Sequence, residues 1–291
     1  MFLLLVLINN FICKNIIGDI CLSPIFFISL HYNNIIYKKN NMEKNIIYNE
    51  DCFITMNDKI DKNSIDVVLT SPPYNMTKRK GGLSDTGRYD VYVDWMTEEQ
   101  YVEFSINLFN NFDNIIKENG VVLYNLSFSK ENGILPYLVM SEIYKNTNWT
   151  VVDTIIWEKN SGMPVPADMR HSTRKCETIF VLARKKESNT FNRYPGISSV
   201  GTNGQVYYHT HNNIIRADNN DGKTHKLNQA TYSTSLCKQL LSLYAKENDI
   251  IYDPFMGTGT TANACVQLNM NFIGSEISEN QCKYAYERIN K

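Results

Sequence analysis

The chain has 291 residues, with 29 basic and 30 acidic side chains and a formal net charge of -1. This length fits one large domain, or a domain with an inserted lobe, and it can bury a substantial core without metal or disulfide. The balanced charge excludes a molecule-wide affinity for polyanions, so any phosphate-binding surface must be local.

Cysteine and histidine usage favours a cytoplasmic protein without a metal site. The 7 cysteines form no Cys-x-x-Cys pair, and their odd number is typical of reduced thiols rather than a disulfide framework or zinc ribbon. His209 and His211 form a His-x-His pair, but no nearby acidic or cysteine cluster completes a metal site. We interpret that pair as a loop or substrate-facing feature.

The first 41 residues differ from the rest. Phe2 to Ile8 is an apolar run of signal-peptide length, without a basic segment before it or an Ala-x-Ala site after it. It is too short to span a bilayer. Because Met42 opens a stretch that resembles the start of a compact domain, we hypothesise that residues 1–41 are an extension outside the fold, translated from a misassigned start.

From residue 45 onward, short β-rich apolar runs alternate with helical stretches, as in βαβ units with a parallel sheet. The predicted strands are Ile46–Tyr48, Asp66–Thr70, Gly120–Leu126, Thr150–Trp157, Thr178–Leu182, Ile250–Tyr252 and Asn271–Gly274. The predicted helices are Glu98–Ile116, Thr234–Ala245, Thr260–Leu268 and Asn280–Asn290. Residues 188–229 are rich in Asn, Gly, Tyr, His and Thr, which predicts inserted loops or a small lobe that reads the substrate.

The first chemical motif is the run 66–75, where an apolar strand leads directly into Ser71-Pro72-Pro73-Tyr74. Ligands of open α/β sheets bind beyond the carboxyl ends of strands, so this turn lies where a site is expected. The two prolines lack backbone donors, which leaves carbonyl oxygens as acceptors, while Ser71 adds a hydroxyl and Tyr74 a flat ring.

These groups suit one chemical problem, the weak nucleophilicity of a base amino nitrogen whose lone pair is delocalised into the ring. Pre-positioned acceptors on both N–H bonds, here the Ser71 hydroxyl and the Pro72 carbonyl, would localise that lone pair toward a methyl donor. Tyr74 would stack on a base swung out of the duplex, a contact of about 1 to 3 kcal/mol. The alternative is a strand-terminating turn without chemistry.

The second motif, residues 249–261, is a strand that enters a turn and then a helix. Gly257 and Gly259 allow close backbone approach to a ligand at a helix N-terminus. Glu276, nineteen residues beyond Gly257, ends the next predicted strand at the spacing typical of an acidic ribose contact. Nicotinamide and flavin sites share such a turn, but the third glycine of their fingerprint is absent, as is a P-loop Gly-Lys-Ser/Thr.

Together these motifs resemble the amino-group DNA methyltransferases of the N4-cytosine/N6-adenine family, which carry (Asp/Asn/Ser)-Pro-Pro-Tyr and Phe-x-Gly-x-Gly on one sheet. The resemblance covers most of residues 45–290, and the order of the motifs is similar to that of the permuted β group. It implies a Rossmann-like α/β fold with a mostly parallel twisted sheet and helices on both faces. It also implies a catalytic domain at 42–291 with a target-recognition segment at about 160–229, S-adenosylmethionine as cofactor and double-stranded DNA as partner.

The resemblance assigns roles to individual residues of this chain. The implied catalytic residues are Ser71, Pro72, Pro73 and Tyr74. The implied cofactor-binding residues are Asp51, Thr70, Asp253, Phe255, Gly257, Thr258, Gly259, Thr260 and Glu276. Asp51 alternatively serves as a plain cap or turn residue. The family's two prolines before the cofactor helix are missing here, which places cofactor roles of Thr231 and Ser233 in doubt.

Local basic residues are candidates for contact with a phosphate backbone, and solvated surface charge is their alternative interpretation. The candidates are Lys78, Arg79, Lys80, Lys159, Arg170 and Arg174.

The chemistry favoured is direct transfer to nitrogen, since none of the 8 prolines precedes the cysteine that methylation at cytosine C5 requires. Ser71 is commoner in cytosine-N4 enzymes, so cytosine N4 is favoured over adenine N6. An RNA or protein-glutamine methyltransferase, or a catalytically silent nucleic-acid-binding protein, are the alternatives. A restriction endonuclease partner and the choice between monomer and homodimer stay open, and no membrane association is expected.

Overall fold

The two motifs, residues 66–75 and 249–261, contribute neighbouring strands to one sheet in the computed structural model of this protein. The structure describes residues 42–75, 96–127, 133–163, 172–221, 228 and 231–290. Its strands are β1 (Ile46–Tyr48), β2 (Ile65–Thr70), β3 (Ile116–Asn125), β4 (Trp149–Met163), β5 (Arg174–Arg184), β6 (Ile197–Val200), β7 (Val206–Tyr208), β8 (Ile214–Ala217), β9 (Ile250–Asp253) and β10 (Asn271–Ser275). Its helices are α1 (Cys52–Asp58), α2 (Glu98–Ile115), α3 (Leu135–Asn146), α4 (Thr234–Tyr244), α5 (Thr260–Gln267) and α6 (Glu279–Ile289), with a 3-10 turn at Lys185–Glu187.

The main sheet has eight strands in the order β1-β10-β9-β2-β3-β5-β4-β8. All neighbours are parallel except β5, which runs antiparallel to both β3 and β4. Strands β9 and β2 are neighbours within the sheet. Beyond β9 lie β10 and β1, and in the opposite direction, beyond β2, lie β3, β5, β4 and β8. A reversal of this kind leaves a crevice at the carboxyl ends of the two central strands.

Alternating side chains of the strands pack against helices on both faces of the sheet. Val67 and Leu69 belong to one core cluster, which contains buried residues of α4, α5 and α6. Val68 belongs to the other cluster, with residues of α1, α2 and α3. Because successive side chains of a strand point to opposite faces, β2 is covered on both sides, and the predicted α/β fold with helices on both faces is confirmed.

Each predicted strand and helix has a counterpart; the strand predicted at Ile46–Tyr48 has the same bounds in the structure, and the bounds of the others differ. The strand predicted at Gly120–Leu126 begins at Ile116, and Asn119, with a positive φ of 59°, lies where the pairing of β2 with β3 shifts. The helix predicted from Glu98 begins there, because Thr97 and Gln100 form a reciprocal capping box.

Two helices, α1 and α3, lie where no element was predicted. The expectation of inserted loops or a lobe holds for the β6–β7 hairpin, but β8 instead extends the main sheet through parallel pairing with β4. Residues 42–291 form one compact unit. The hypothesis for residues 1–41 concerns a segment outside the described residues and stays a prediction.

Within the described ranges, no helix has the length and hydrophobicity needed to cross a bilayer. No group of three or more His, Cys, Asp or Glu residues in the same ranges is arranged to hold a metal ion.

Candidate active site

The carboxyl ends of β2 and β9 meet, which joins the two predicted motifs across about 180 residues of sequence. Val67 pairs with Ile251 and Val68 with Tyr252. At the last residues of the two strands, the Thr70 hydroxyl donates to Asp253 Oδ1 over 2.8 Å. The turn at 71–74 therefore begins beside the loop that follows Asp253.

Asp253 is a buried carboxylate, with 1% of its surface exposed, that accepts hydrogen bonds from four donors. Thr70 and the Phe255 N–H donate to Oδ1, the latter over 3.0 Å, and Thr261 and Tyr232 donate to Oδ2 over 2.6 and 3.0 Å. Burial raises the pKa of Asp253, and these hydrogen bonds oppose the rise. Asp253 thus ties β9 to β2, α5 and the segment before α4, and its oxygens face protein donors.

The loop after Asp253 is pinned to the end of β10 by Glu276. Glu276 Oε2 accepts from the Gly257 N–H over 2.8 Å, and Oε1 accepts from the Ser278 N–H over 2.8 Å. A carboxylate has about four lone-pair sites, so one such group can accept from ribose hydroxyls as well as from backbone amides. The predicted position of Glu276 beside the glycine loop is therefore compatible with a nucleoside ligand.

The two glycines of this loop have similar backbone conformations but different surroundings. Both have positive φ, 55° at Gly257 and 79° at Gly259. A Cβ on Gly259 would lie 2.7 Å from the Cβ of Ala285 in α6, so this glycine serves the packing of the loop against a helix. The nearest atoms to a Cβ on Gly257 would be the Asn228 side-chain amide nitrogen at 3.1 Å, the Gln281 amide oxygen at 3.5 Å and the Phe255 carbonyl oxygen at 3.8 Å.

Thr258 and Thr260 are buried and contact Arg288 of α6. The Arg288 guanidinium donates to the Thr258 carbonyl over 3.3 Å and to the Thr260 hydroxyl over 2.9 Å. It also forms an ion pair with Asp221, at the end of the described part of the variable segment. These two threonines therefore stabilise the start of α5.

The ends of β1 and β9 carry aromatic rings next to an exposed carboxylate. Asp51 accepts from the Phe53 N–H over 2.8 Å and begins α1, so its alternative role as a cap is realised. The Phe104 ring lies 5.9 Å from that of Phe53 and 6.1 Å from that of Phe255. Half-buried rings, an acidic side chain and a glycine loop at a helix N-terminus fit an adenosine-containing cofactor.

The turn at 71–74 is held by side chains from other elements. The Tyr101 hydroxyl of α2 donates to the Pro73 carbonyl over 2.6 Å. The Tyr74 hydroxyl donates to Glu177 Oε2 over 2.8 Å and lies 3.0 Å from Ser71 Oγ. Asn125 Nδ2 donates to the Tyr74 oxygen over 2.8 Å.

Asn125 and Glu177 were not among the predicted site residues. Asn125 ends β3 and is 3% exposed, and Glu177 lies on β5. Each follows or begins an apolar strand with no motif around it, so only the antiparallel pairing of β3 with β5 reveals their proximity. Tyr232, which contacts Asp253, was likewise missed because the prolines expected in its segment are absent.

The predicted phosphate contacts have different placements. Lys159 forms an ion pair with Glu177 Oε1 at 2.5 Å, beside the catalytic turn. Arg174 begins β5. Lys78, Arg79, Lys80 and Arg170 lie outside the described residues.

Four described cysteines are buried, and burial raises the pKa of each of their thiols. They are Cys52, Cys237, Cys265 and Cys282. Because the thiolate is the nucleophilic form, these four residues are poor nucleophiles, whereas Cys176 on β5 is exposed.

Comparisons with known proteins agree with this geometry. The N6/N4 methyltransferase family model described as DNA methylase matches residues 65–287. The type II methyltransferase M2.LlaDCHI of Lactococcus lactis subsp. cremoris is 25% identical over 270 residues, which cover 89% of this chain and 95% of the relative. The orphan methyltransferase M.BamHII of Bacillus amyloliquefaciens is 27% identical over 262 residues, covering 80% and 92%. Among solved structures, the cytosine-N4-specific PvuII DNA methyltransferase superposes with a TM-score of 0.64 at 14% identity, covering 85% of this chain and 86% of that one.

Proposed function

The chain belongs to the N6/N4 DNA methylase family, and from this premise we propose that it transfers a methyl group from S-adenosylmethionine to an exocyclic amino nitrogen of a base in double-stranded DNA. The observation that carries the proposal is the 2.8 Å bond from Thr70 to Asp253, which brings the Ser-Pro-Pro-Tyr turn beside the glycine loop. Two reactants held on adjacent strand ends react as if in one molecule, and such positioning contributes several kcal/mol to catalysis, about 7 to 11 in well-oriented cases.

In the proposed reaction, the cofactor supplies an electrophilic methyl group on a sulfonium. Glu276, Asp51 and the backbone at 257–260 hold its nucleoside portion, and Phe255 packs beside it. Ser71 Oγ and the Pro72 carbonyl oxygen each accept a hydrogen bond from one N–H of the target amine. These two bonds localise the lone pair of the nitrogen. Acceptors fixed before the reaction stabilise the charge that develops on nitrogen without reorganisation.

The target base must leave the duplex to reach this crevice, and Tyr74 is positioned to receive it. Its ring is half-buried against the core, and its hydroxyl is fixed by Glu177 and Asn125. A ring held at its far end keeps a defined face for stacking.

We propose that the segment at about 160–229 recognises the DNA sequence. Its β6–β7 hairpin exposes apolar and aromatic side chains, including Ile197 at 59%, Tyr207 at 54% and Tyr208 at 58%. Exposed side chains of this kind are typical of interaction surfaces. The bacterial relatives are compatible with a cytoplasmic enzyme whose partner is DNA, with or without a restriction endonuclease.

Cytosine N4 is the favoured target because Ser71 occupies the first motif position, and adenine N6 is the second candidate. Both amines present two hydrogens and a stacking face, so Ser71 is the residue on which the preference rests.

The direct test is nucleoside analysis of DNA from a strain that expresses the protein. Mass spectrometry should detect N4-methylcytosine, and its loss in a strain that carries Ser71→Ala would assign the activity to this site. Detection of N6-methyladenine alone would move the target to adenine, and unmodified DNA with active cofactor binding would contradict the proposed activity.

A second experiment separates the two halves of the site. Ser71→Ala should lower kcat by about a hundredfold, because one pre-positioned transition-state contact contributes about that much, while calorimetric cofactor affinity is unchanged. Gly257→Val should weaken cofactor binding, since valine at a positive φ displaces the loop. Equal loss of cofactor binding in both variants would contradict this division of roles.

A further inference from the structure

We infer that Glu177 is a positioning residue that acts through Tyr74 to orient the hydroxyl hydrogen of Ser71 away from the target amine. The inference rests on the proposed function and adds a residue outside both sequence motifs. Its basis is a continuous chain of hydrogen bonds from Ser71 through Tyr74 to Glu177, closed by Lys159.

Glu177 is the acceptor at the end of this chain. Its Oε2 accepts from the Tyr74 hydroxyl over 2.8 Å and from Asn125 Nδ2 over 3.0 Å, and its Oε1 accepts from Lys159 Nζ over 2.5 Å. Its side chain is 14% exposed, and the Lys159 ammonium also lies 4.7 Å from the Trp157 ring centre. A largely buried carboxylate is tolerated because it is paired and hydrogen-bonded in this way.

The direction of each hydroxyl follows from the number of protons. A carboxylate only accepts, so the single hydroxyl hydrogen of Tyr74 is committed to Glu177. Asn125 Nδ2 is also a donor to the Tyr74 oxygen. Ser71 Oγ, 3.0 Å from that oxygen, must then donate its own hydrogen to Tyr74. Asn125 Nδ2 also donates to Ser71 Oγ over a longer 3.4 Å, so the other lone pair of Ser71 is left for the N–H of the base.

Removal of the carboxylate would reverse this order. In Glu177→Gln, the Lys159 ammonium holds the amide oxygen, and the amide NH2 group faces Tyr74. Tyr74 then has no acceptor at that end and turns its hydrogen toward Ser71 Oγ, which occupies a lone pair that the amine needs. Because the variant keeps the Tyr74 ring, the Lys159 side chain and the glycine loop, the loss should fall on the chemical step.

The test is steady-state kinetics of the full chain with a duplex that contains its methylated site. Glu177→Gln should lower kcat by about tenfold or more, with KM for DNA and calorimetric cofactor affinity within about twofold of wild type. Tyr74→Phe keeps the ring and removes the hydroxyl, so it should also lower kcat. The double variant should be no slower than the slower single variant, because both changes interrupt one chain.

Glu142→Gln is the matched control, because Glu142 pairs with Lys145 on the exposed face of α3 and its loss should leave all constants unchanged. The inference would be overturned if the fold-losses in kcat of the two single variants multiplied in the double variant. A higher KM for DNA at constant kcat in Glu177→Gln would also overturn it. Full activity of Tyr74→Phe would overturn it even if Glu177→Gln fails to fold. The wild-type rate itself tests the proposed function, and the ratios between variants test the role of Glu177.

Discussion

The loop at 253–259 and the turn at 71–74 lie side by side, yet they are stabilised in different ways. The loop is held from within, since Asp253 accepts four hydrogen bonds and Glu276 accepts hydrogen bonds from two backbone amides. The turn is held by a few bonds from distant strands and helices, and its polar groups belong to a half-buried network. The cofactor side is therefore a rigid scaffold that presents its backbone, whereas the catalytic side presents side chains.

The largest effect is expected from Asp253→Ala, which removes the hub of the scaffold. The Thr70, Thr261 and Tyr232 hydroxyls and the Phe255 N–H would lose their common acceptor in a buried site. Unsatisfied buried donors cost about 1 to 3 kcal/mol each, and neighbouring hydroxyls recover part of that, so we expect a loss of about 4 kcal/mol in the free energy of unfolding. Urea denaturation measures it.

Asp253→Asn is the matched variant for this prediction. Its amide oxygen still accepts from Thr70 and the Phe255 N–H, and its NH2 group can donate to the hydroxyls of Tyr232 and Thr261, which also accept. We expect less than half of the alanine effect. If alanine and asparagine destabilised the protein equally, saturation of Asp253 would not be what holds the loop.

The next effect separates backbone conformation from packing within the scaffold. Gly259→Ala adds a Cβ at a φ of 79° and 2.7 Å from Ala285, whereas Gly204→Ala adds one at a φ of 81° with no atom within 4 Å. The left-handed conformation alone costs about 1 to 2 kcal/mol and overpacking about 1 to 3 kcal/mol. Urea denaturation should show a loss of about 3 kcal/mol for Gly259→Ala and about 1 kcal/mol for Gly204→Ala. Equal losses in the free energy of unfolding for the two variants would mean that α6 shifts away from the added Cβ without cost.

The two regions also differ in what their sequence could reveal. Both motif strands were predictable because apolar runs that end in Pro-Pro or Gly-x-Gly turns are local signals, and family resemblance supplied the roles of residues such as Ser71 and Gly257. The saturation of Asp253 was not predictable, because Thr70 and Tyr232 reach it only after β2, β9 and the segment before α4 are assembled.

The missed elements have similar physical reasons. Helix α1 is seven residues long and contains Phe53, Ile54 and Thr55, which favour strands, so its N-cap bond to Asp51 and its packing against α2 determine its conformation. Asn125 and Glu177 carry no local signal at all. They meet because β3 and β5 pair antiparallel, a long-range fact that spacing along the chain does not encode.

A smaller effect is expected where the scaffold meets the cofactor. Glu276→Gln replaces one carboxylate oxygen with a donor, so either the Gly257 or the Ser278 N–H loses its acceptor. We expect cofactor binding to weaken about tenfold, which corresponds to about 1.4 kcal/mol, in isothermal titration calorimetry. Glu279→Gln, which breaks an exposed pair with Lys283 on α6, should bind the cofactor like wild type. Equal weakening in both variants would point to a general effect of charge near α6.

The smallest effect tests how lightly the catalytic turn is held. Tyr101→Phe keeps a buried ring and removes the hydroxyl that donates to the Pro73 carbonyl over 2.6 Å. We expect the free energy of unfolding to fall by about 1 kcal/mol, with a lower kcat and unchanged calorimetric cofactor affinity. Tyr137→Phe, at a 61% exposed position on α3, is the control and should match wild type. A weaker cofactor affinity at constant kcat in Tyr101→Phe would show that the turn supports the loop, because a change confined to the catalytic side must leave the scaffold's ligand untouched.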